Sequence, residues 1–242
     1  MLRANRGDGA RPMASWMPEV SGTDDAPWRD LSAQPGVAAL ASTLQEHAPA
    51  LRVEALSLWR AGRFKTQPEC MHQTHPDFTN AGSDSAAGAE WAQLPVVGVD
   101  FMRSEKGGCS EHTPVGCELV STLVQRWKDD LKGNGGDAVE VERVGYSSLS
   151  QGGWIRPHWG ETNARLKLHI GLVVGGQAGC AALTVGGESQ AWSEGEVLFF
   201  DDSYEHAAFN NCTDTPAAVA GDEARLPRIV LQVVIRHPRA GP

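Results

Sequence analysis

Pro157-His158-Trp159-Gly160-Glu161-Thr162-Asn163-Ala164-Arg165-Leu166-Lys167-Leu168-His169-Ile170-Gly171-Leu172 is the stretch that decides the fold of this chain. It follows a Gly152-Gly153 turn, sets a histidine among small and polar residues, then runs apolar from Leu166 with Lys167 and His169 at alternate positions. A strand over 166–174 places those two basic side chains on one face, because successive side chains of a strand point to opposite sides. The period of two recurs on both sides. Strands are predicted over 138–149, 181–185, 190–192, 197–200, 205–209 and 229–235, punctuated by Gly152, Gly175, Gly186 and Gly195. Short strands broken by glycine turns predict an antiparallel double-sheet roll, a double-stranded β-helix of the jelly-roll or cupin-like kind. Such a roll holds a small ligand between its sheets.

Upstream the period becomes helical. Leu31, Val37, Leu40 and Leu44, then Leu51, Val53, Leu56, Leu58 and Trp59, predict helices over 31–47 and 51–60. Leu119, Val120, Leu123, Val124 and Trp127 predict a third over 117–131. Residues 78–90, rich in Gly, Ala and Ser, read as loop. The fold class is mostly β with flanking α. A flexible tail over 1–25 precedes one domain over 26–242, with an N-terminal helical layer over about 26–135 and the roll over about 136–238.

Composition narrows the function. Of 242 residues 41% are hydrophobic, enough for a packed core. A net charge of −9 without a Lys/Arg stripe argues against nucleic acid or anionic lipid as partner, since neutralising phosphates needs clustered cations. No apolar run approaches the roughly 20 residues of a transmembrane helix. The first twenty residues carry Arg3, Arg6 and Arg11 but no apolar centre, so no secretory signal is recognisable. The expectation is a soluble protein whose compartment is unknown. Cys70, Cys109, Cys117, Cys180 and Cys212 contain no C-x-x-C pair, and by themselves they read as free thiols in a reducing compartment.

Of the four histidines in the strand half, three precede the last strand: His158, His169 and His206. His158 follows the glycine turn, and His206 closes the polar run that follows an apolar strand, so both can meet at the mouth of a roll. Imidazole suits a first-row metal. A non-haem iron site usually adds a carboxylate two residues after the first histidine, where strand alternation keeps it on the same side. That position is Gly160, and Glu161 points the other way by alternation. Spacing alone therefore argues against iron and leaves a cupin-like metal-binding roll.

The quoted stretch resembles the central signature of the aspartyl/asparaginyl β-hydroxylase family. So do Trp192-Ser193-Glu194-Gly195, Phe200-Asp201-Asp202-Ser203-Tyr204-Glu205-His206, and the last segment from Arg228 to His237-Pro238, in the same order. Weaker similarity at Pro27-Trp28, at Trp91 and Gln93, and at the Cys109/Cys117 loop extends the resemblance over most of 27–238. The family keeps two histidines and has Gly where other such oxygenases have the carboxylate. The resemblance thus implies His158 and His206 as catalytic iron ligands, with Fe(II) as cofactor and 2-oxoglutarate and O2 as cosubstrates.

A buried dianion such as 2-oxoglutarate must be paired. The resemblance implies Arg228 for its distal carboxylate, which a planar guanidinium fork matches, with Ser147 as hydroxyl partner. It also implies His169 and Lys167 as a basic pair near the cosubstrate and Trp91 as an aromatic wall. Arg165 and Gln93 match positions that hold the substrate's Asp or Asn side chain. Lys167 departs from the family's usual Arg and supplies charge without a bidentate fork, which bears on specificity. Residues 211–227 form a longer link than usual and read as a surface loop. The Cys109/Cys117 pair implies a disulfide in an oxidising compartment and free thiols otherwise. The implied function is hydroxylation of the β-carbon of Asp or Asn in a peptide, protein or small amino-acid derivative, releasing succinate and CO2. The alternative is a non-catalytic cupin-like module that binds metal and a small carboxylate.

Overall fold

A proline in mid-sequence disguises the helical layer. The computed structural model describes residues 26–66, 91–97, 109, 111–133, 138–160, 162–175, 178–212 and 226–237. One helix, α1 (Pro35–Arg60), runs through the positions read as two. Pro35 opens it, where the missing N–H is no loss. Pro49 removes an interior hydrogen bond, at a cost of about 3 kcal/mol. Yet buried Val37, Leu40, Ala41, Leu44, Ala48, Leu51 and Ala55 stay in phase across it, and burial of that continuous stripe outweighs the lost bond. Residues before it make only a 3-10 turn, Leu31–Ala33, where the Ser32 N–H donates to Asp30 at 2.8 Å.

The second helix, α2 (Pro114–Lys132), is capped from outside. Its N-cap Thr113 makes no side-chain capping bond. Buried Glu54 of α1 accepts instead from the Val115 N–H at 2.6 Å, the Gly116 N–H at 3.0 Å and the Tyr146 hydroxyl at 2.6 Å. A carboxylate there satisfies orphan donors and meets the positive end of the helix dipole. Burial, then Glu54, raises the pKa of the Tyr146 phenol. Glu54→Gln keeps the shape but turns one acceptor into a donor. It is expected to cost about 1–3 kcal/mol, seen as a lower denaturation midpoint at unchanged slope.

Ten strands form among the described residues: β1 (Lys65–Thr66), β2 (Trp91–Val97), β3 (Val141–Leu149), β4 (Gly153–His158), β5 (Arg165–Val173), β6 (Ala181–Val185), β7 (Glu188–Ala191), β8 (Val197–Phe200), β9 (His206–Asn210) and β10 (Arg228–Arg236). They form two antiparallel sheets, in the orders β1-β2-β3-β10-β5-β8 and β4-β9-β6-β7. This is the expected jelly-roll with a helical layer. Three corrections concern strands the periodicity did not reveal, the two-residue β1 among them. β2 lies in the half read as helical, and β4 was read only as a turn and its flank. Both contain a proline, Pro95 and Pro157, beside a register shift, and a proline inside a strand is tolerated at such a bulge.

Two cores sandwich the larger sheet. On its outer face Leu168, Ile170, Leu231, Val233 and Tyr146 pack against the helices. On its inner face Leu149, Val230 and Phe200 meet Ile155, Leu183, Val185 and Ala208 of the smaller sheet. β10 is central and buried on both faces, which is why it reads as a continuous apolar run.

The cysteines correct the free-thiol reading. Cys109 and Cys117 are bridged, with Cα atoms 5.6 Å apart, and so are Cys180 and Cys212, at 4.6 Å. The register Ala181↔Asn210 between β6 and β9 brings the second pair together across 32 residues of sequence, a separation that hides it from spacing rules. The tail over 1–25, the loop over 78–90, Cys70, Glu161, Pro238 and residues 213–225 of the long link lie outside the described residues.

Candidate active site

The register of the smaller sheet carries the metal-site candidates. His158 on β4 is the direct partner of His206 on β9, and their ring centroids are 4.1 Å apart. The ladder slips between Ile155 and His158, and such a bulge re-aims the side chain that follows it. Each ring is oriented alike. His158 Nδ1 lies 2.8 Å from the Arg156 carbonyl and His206 Nδ1 lies 2.9 Å from the Tyr204 carbonyl. A carbonyl only accepts, so both Nδ1 atoms carry the proton and both Nε2 lone pairs are left for a metal. Burial holds the His158 pKa down to about 4 and that of His206 well below its ordinary value. Both rings are therefore neutral near pH 7, the form that ligates.

Among the described residues no group of three or more His, Cys, Asp or Glu is arranged to hold a metal ion. The pair stands beside Gly160, and the structure gives a steric reason for glycine there. A Cβ built on Gly160 would lie 2.6 Å from Asp202 Oδ2. Asp202 fills the space that a carboxylate-bearing side chain at 160 would need. It is buried, its Oδ2 pairs with Lys167 Nζ at 2.8 Å, and its Oδ1 has no hydrogen-bond partner. Asp202 lies within the Phe200–His206 motif, where its position in the sequence assigns it no role. Being in a turn, it follows no alternation that would have flagged it.

Behind the histidines, the inner face of the larger sheet gathers most of the remaining candidates. Lys167 and His169 alternate on β5, paired across to Val234 and Gln232 of β10 and to Phe200 and Leu198 of β8. Arg228 opens β10 opposite Leu149, with Ser147 two residues away on the same face of β3, within diagonal reach. Ser147 is fully buried and accepts from Trp91 Nε1–H at 3.0 Å. Arg228 is 2% exposed, and its Nε and Nη2 have no acceptor among the described residues. Both ring nitrogens of His169 and Nε1 of Trp192 are likewise buried without a hydrogen-bond partner.

Buried charge without an acceptor is costly, so a cluster of orphaned donors around a guanidinium is an arrangement that could hold an anion. Burial lowers the Arg228 pKa to about 9, still charged at neutral pH, and holds that of His169 well below its ordinary value. Trp192 is the second residue the sequence reading passed over. Its ring lies 4.6 Å beneath Arg228 Cζ and stacks against His169 at 6.1 Å. It reaches this place because Gly171 has no side chain: a Cβ there would collide with the Ser193 carbonyl.

The two substrate candidates stand on different strands of the larger sheet, Gln93 on β2 opposite Ser147 and Arg165 on β5. Gln93 Nε2 is 3.5 Å from Gln232 Oε1, whose residue pairs with His169. Arg165 shares its strand face with Lys167 but is engaged in an ion pair with Glu142, beside Arg236.

A double-sheet roll with two facing histidines and a buried cation is a cupin-like jelly-roll architecture. The chain belongs to the Aspartyl/Asparaginyl beta-hydroxylase family, whose model matches residues 45–238. It is 44% identical over 92 residues to the human aspartate beta-hydroxylase domain-containing protein 2, covering 38% of this chain and 22% of that protein. It is 28% identical over 153 residues to the human aspartyl/asparaginyl beta-hydroxylase, covering 63% of this chain and 17% of that one. The match thus spans about a fifth of those relatives' lengths. Among solved structures, a Pseudomonas putida prolyl-4-hydroxylase aligns at TM-score 0.43 with 12% identity, over 83% of this chain and 98% of that one. Among the described residues no helix is long and apolar enough to cross a membrane.

Proposed function

We propose that the chain is an Fe(II)- and 2-oxoglutarate-dependent dioxygenase that hydroxylates the β-carbon of an Asp or Asn in a peptide, protein or small amino-acid derivative. The observation that carries this reading is the pairing of two features in one roll. Two histidine rings lie 4.1 Å apart with their Nδ1 atoms held by carbonyls, and donors of Arg228, His169 and Trp192 are buried in the same roll without partners among the described residues. The donor set fits the cofactor: neutral imidazoles suit Fe(II), and a buried guanidinium suits a dicarboxylate. Bound iron would couple the oxidative decarboxylation of 2-oxoglutarate by O2, to succinate and CO2, to hydroxylation of a C–H bond.

The protein's own part is placement. His158 and His206 would hold the metal, their rings fixed by the Arg156 and Tyr204 carbonyls. Asp202, tied to Lys167, would add negative charge beside them, where glycine replaces the usual carboxylate. Arg228, near Ser147 and stacked on Trp192, would receive the distal carboxylate of the cosubstrate, and His169 would donate alongside. Lys167 neutralises Asp202 and would add positive charge for the cosubstrate. Trp91 orders the Ser147 hydroxyl. Gln93 and Arg165 border the outer end, where the substrate's carboxylate or amide would lie. Apolar walls from Phe200, Val230 and Ile155 exclude water, which strengthens each of these polar contacts.

The test is release of succinate from 2-oxoglutarate by the Fe(II)-loaded protein, with a library of Asp- and Asn-containing peptides read by a mass gain of one oxygen. Succinate formation with oxygen insertion at Asp or Asn is expected. Binding of metal and 2-oxoglutarate with no turnover on any peptide would favour the non-catalytic module instead.

A further inference from the structure

A short segment ahead of the family match ties the two sheets together beside the turn that carries Asp202 and His206. The Asp201 N–H donates to the Pro27 carbonyl at 2.9 Å, and the Arg29 N–H donates to the Phe199 carbonyl at 2.9 Å. Trp28 bridges to Phe200 between them. Its indole N–H reaches across to the Glu188 carbonyl of β7 at 3.1 Å. Close by, a Cβ on Gly186 would lie 2.8 Å from the Pro27 ring. Residues 27–29 are thus a strap over the β8 edge of one sheet and the β7 edge of the other.

The strap ends in a buried ion pair. Arg29 Nη2 lies 3.0 Å from Asp201 Oδ2, with side chains 5% and 0% exposed. The other Asp201 oxygen accepts from the Ser203 N–H at 3.0 Å and the Ser203 hydroxyl at 2.6 Å, and the Asp201 carbonyl accepts from the Tyr204 N–H at 3.3 Å. From there the contacts lead to the rim. The Asp202 carbonyl accepts from the Gly160 N–H, and the Tyr204 carbonyl holds His206 Nδ1. A buried pair of charges is a poor source of net stability, because desolvation offsets its attraction. Its value lies in direction: Asp201 is pulled one way by Arg29 and braced the other by Ser203, which fixes the turn between β8 and β9.

We propose that Arg29 is a positioning residue of the metal site, acting through Asp201 to hold the 201–206 turn so that Asp202 and His206 face His158. The proposal rests on the metal-binding reading above and adds to it a residue that lies before the first position of the family match.

The test is a calorimetric titration of the whole chain with Mn(II), alongside thermal unfolding, for the unaltered protein, Arg29→Met, Arg29→Lys and a control, Arg126→Met. Arg126 ties α2 to α1 through the Ala39 carbonyl at 3.2 Å and the Thr43 hydroxyl at 2.7 Å, within the helical layer. Arg29→Met is expected to weaken Mn(II) binding about tenfold or more, the usual effect of losing an outer partner of a metal ligand. Arg29→Lys should recover part of the loss, and Arg126→Met should keep full affinity even where it lowers the unfolding temperature equally. Should Arg29→Met not fold, Asp201→Asn removes the charge partner while keeping an acceptor for Ser203, and the same weakening is expected. Unchanged Mn(II) affinity in these variants, or an equal loss in Arg126→Met, would overturn the proposal and leave the metal-site reading intact. Failure of the unaltered protein to bind Mn(II) would overturn both.

Discussion

His206→Ala is expected to lose divalent-metal affinity by more than the roughly 10–100-fold that removal of an outer partner costs, and to lose 2-oxoglutarate turnover with it. The expectation follows from how little else there is to bind the ion. Within the described residues the site offers two imidazoles and no third ligand cluster, so each ring carries a large share of the binding. The rings also face each other from paired backbone positions, and the remaining His158 cannot swing to compensate while its Nδ1–H is held by the Arg156 carbonyl. His169→Ala is the matched comparison. His169 is equally buried and its ring nitrogens are unpartnered, but it sits on the other sheet against Trp192 and Phe200. That variant should keep metal affinity and weaken only the cosubstrate. Titration with Fe(II) under anaerobic conditions, followed by a succinate assay, checks both. Full affinity and turnover in His206→Ala would remove His206 from the site.

What the sequence revealed and what it hid divide along physical lines. The alternation of Lys167 and His169 set both on one face, and β5 bears this out. The apolar run after Arg228 read as a buried strand because β10 is covered on both sides. Legibility failed where a local rule is overridden by tertiary contact. The gap between the helices predicted over 31–47 and 51–60 falls at Pro49, but a stripe in phase carries α1 through it. Pro95 and Pro157 masked strands that bulge around them. Gly160 read from spacing as the lack of a ligand, whereas in the fold it is the space Asp202 occupies. Asp202, Trp192 and Arg29 acquire their roles only through partners distant in the chain: Lys167, Arg228 and Asp201. The Cys180–Cys212 bridge depends on a strand register that no spacing rule encodes.

Arg228→Met is expected to separate cosubstrate binding from folding. In the protein as it stands, the guanidinium is buried, stacked on Trp192, and two of its nitrogens have no acceptor. A buried charge without an acceptor is costly, and an anion would supply the missing acceptor. Methionine fills similar volume with an apolar chain, so the variant without cosubstrate should be at least as stable as the unaltered protein, in line with replacements of buried charges by hydrophobic groups. The cosubstrate feels the opposite effect. Losing the partner of a buried carboxylate costs about 2–5 kcal/mol, a rise of about thirtyfold or more in the dissociation constant of 2-oxoglutarate. Metal affinity should not change, since Arg228 and the two histidines lie on different sheets. Thermal unfolding with and without saturating 2-oxoglutarate reads both effects, because a ligand that binds only the folded state raises stability by an amount set by its concentration over its dissociation constant. The unaltered protein should gain stability from 2-oxoglutarate and Arg228→Met should gain little. An equal gain in both would place the distal carboxylate on another base, with Lys167 the next to test. A variant that unfolds early without ligand would instead make Arg228 a structural residue, and the orphaned donors around it would need a different explanation.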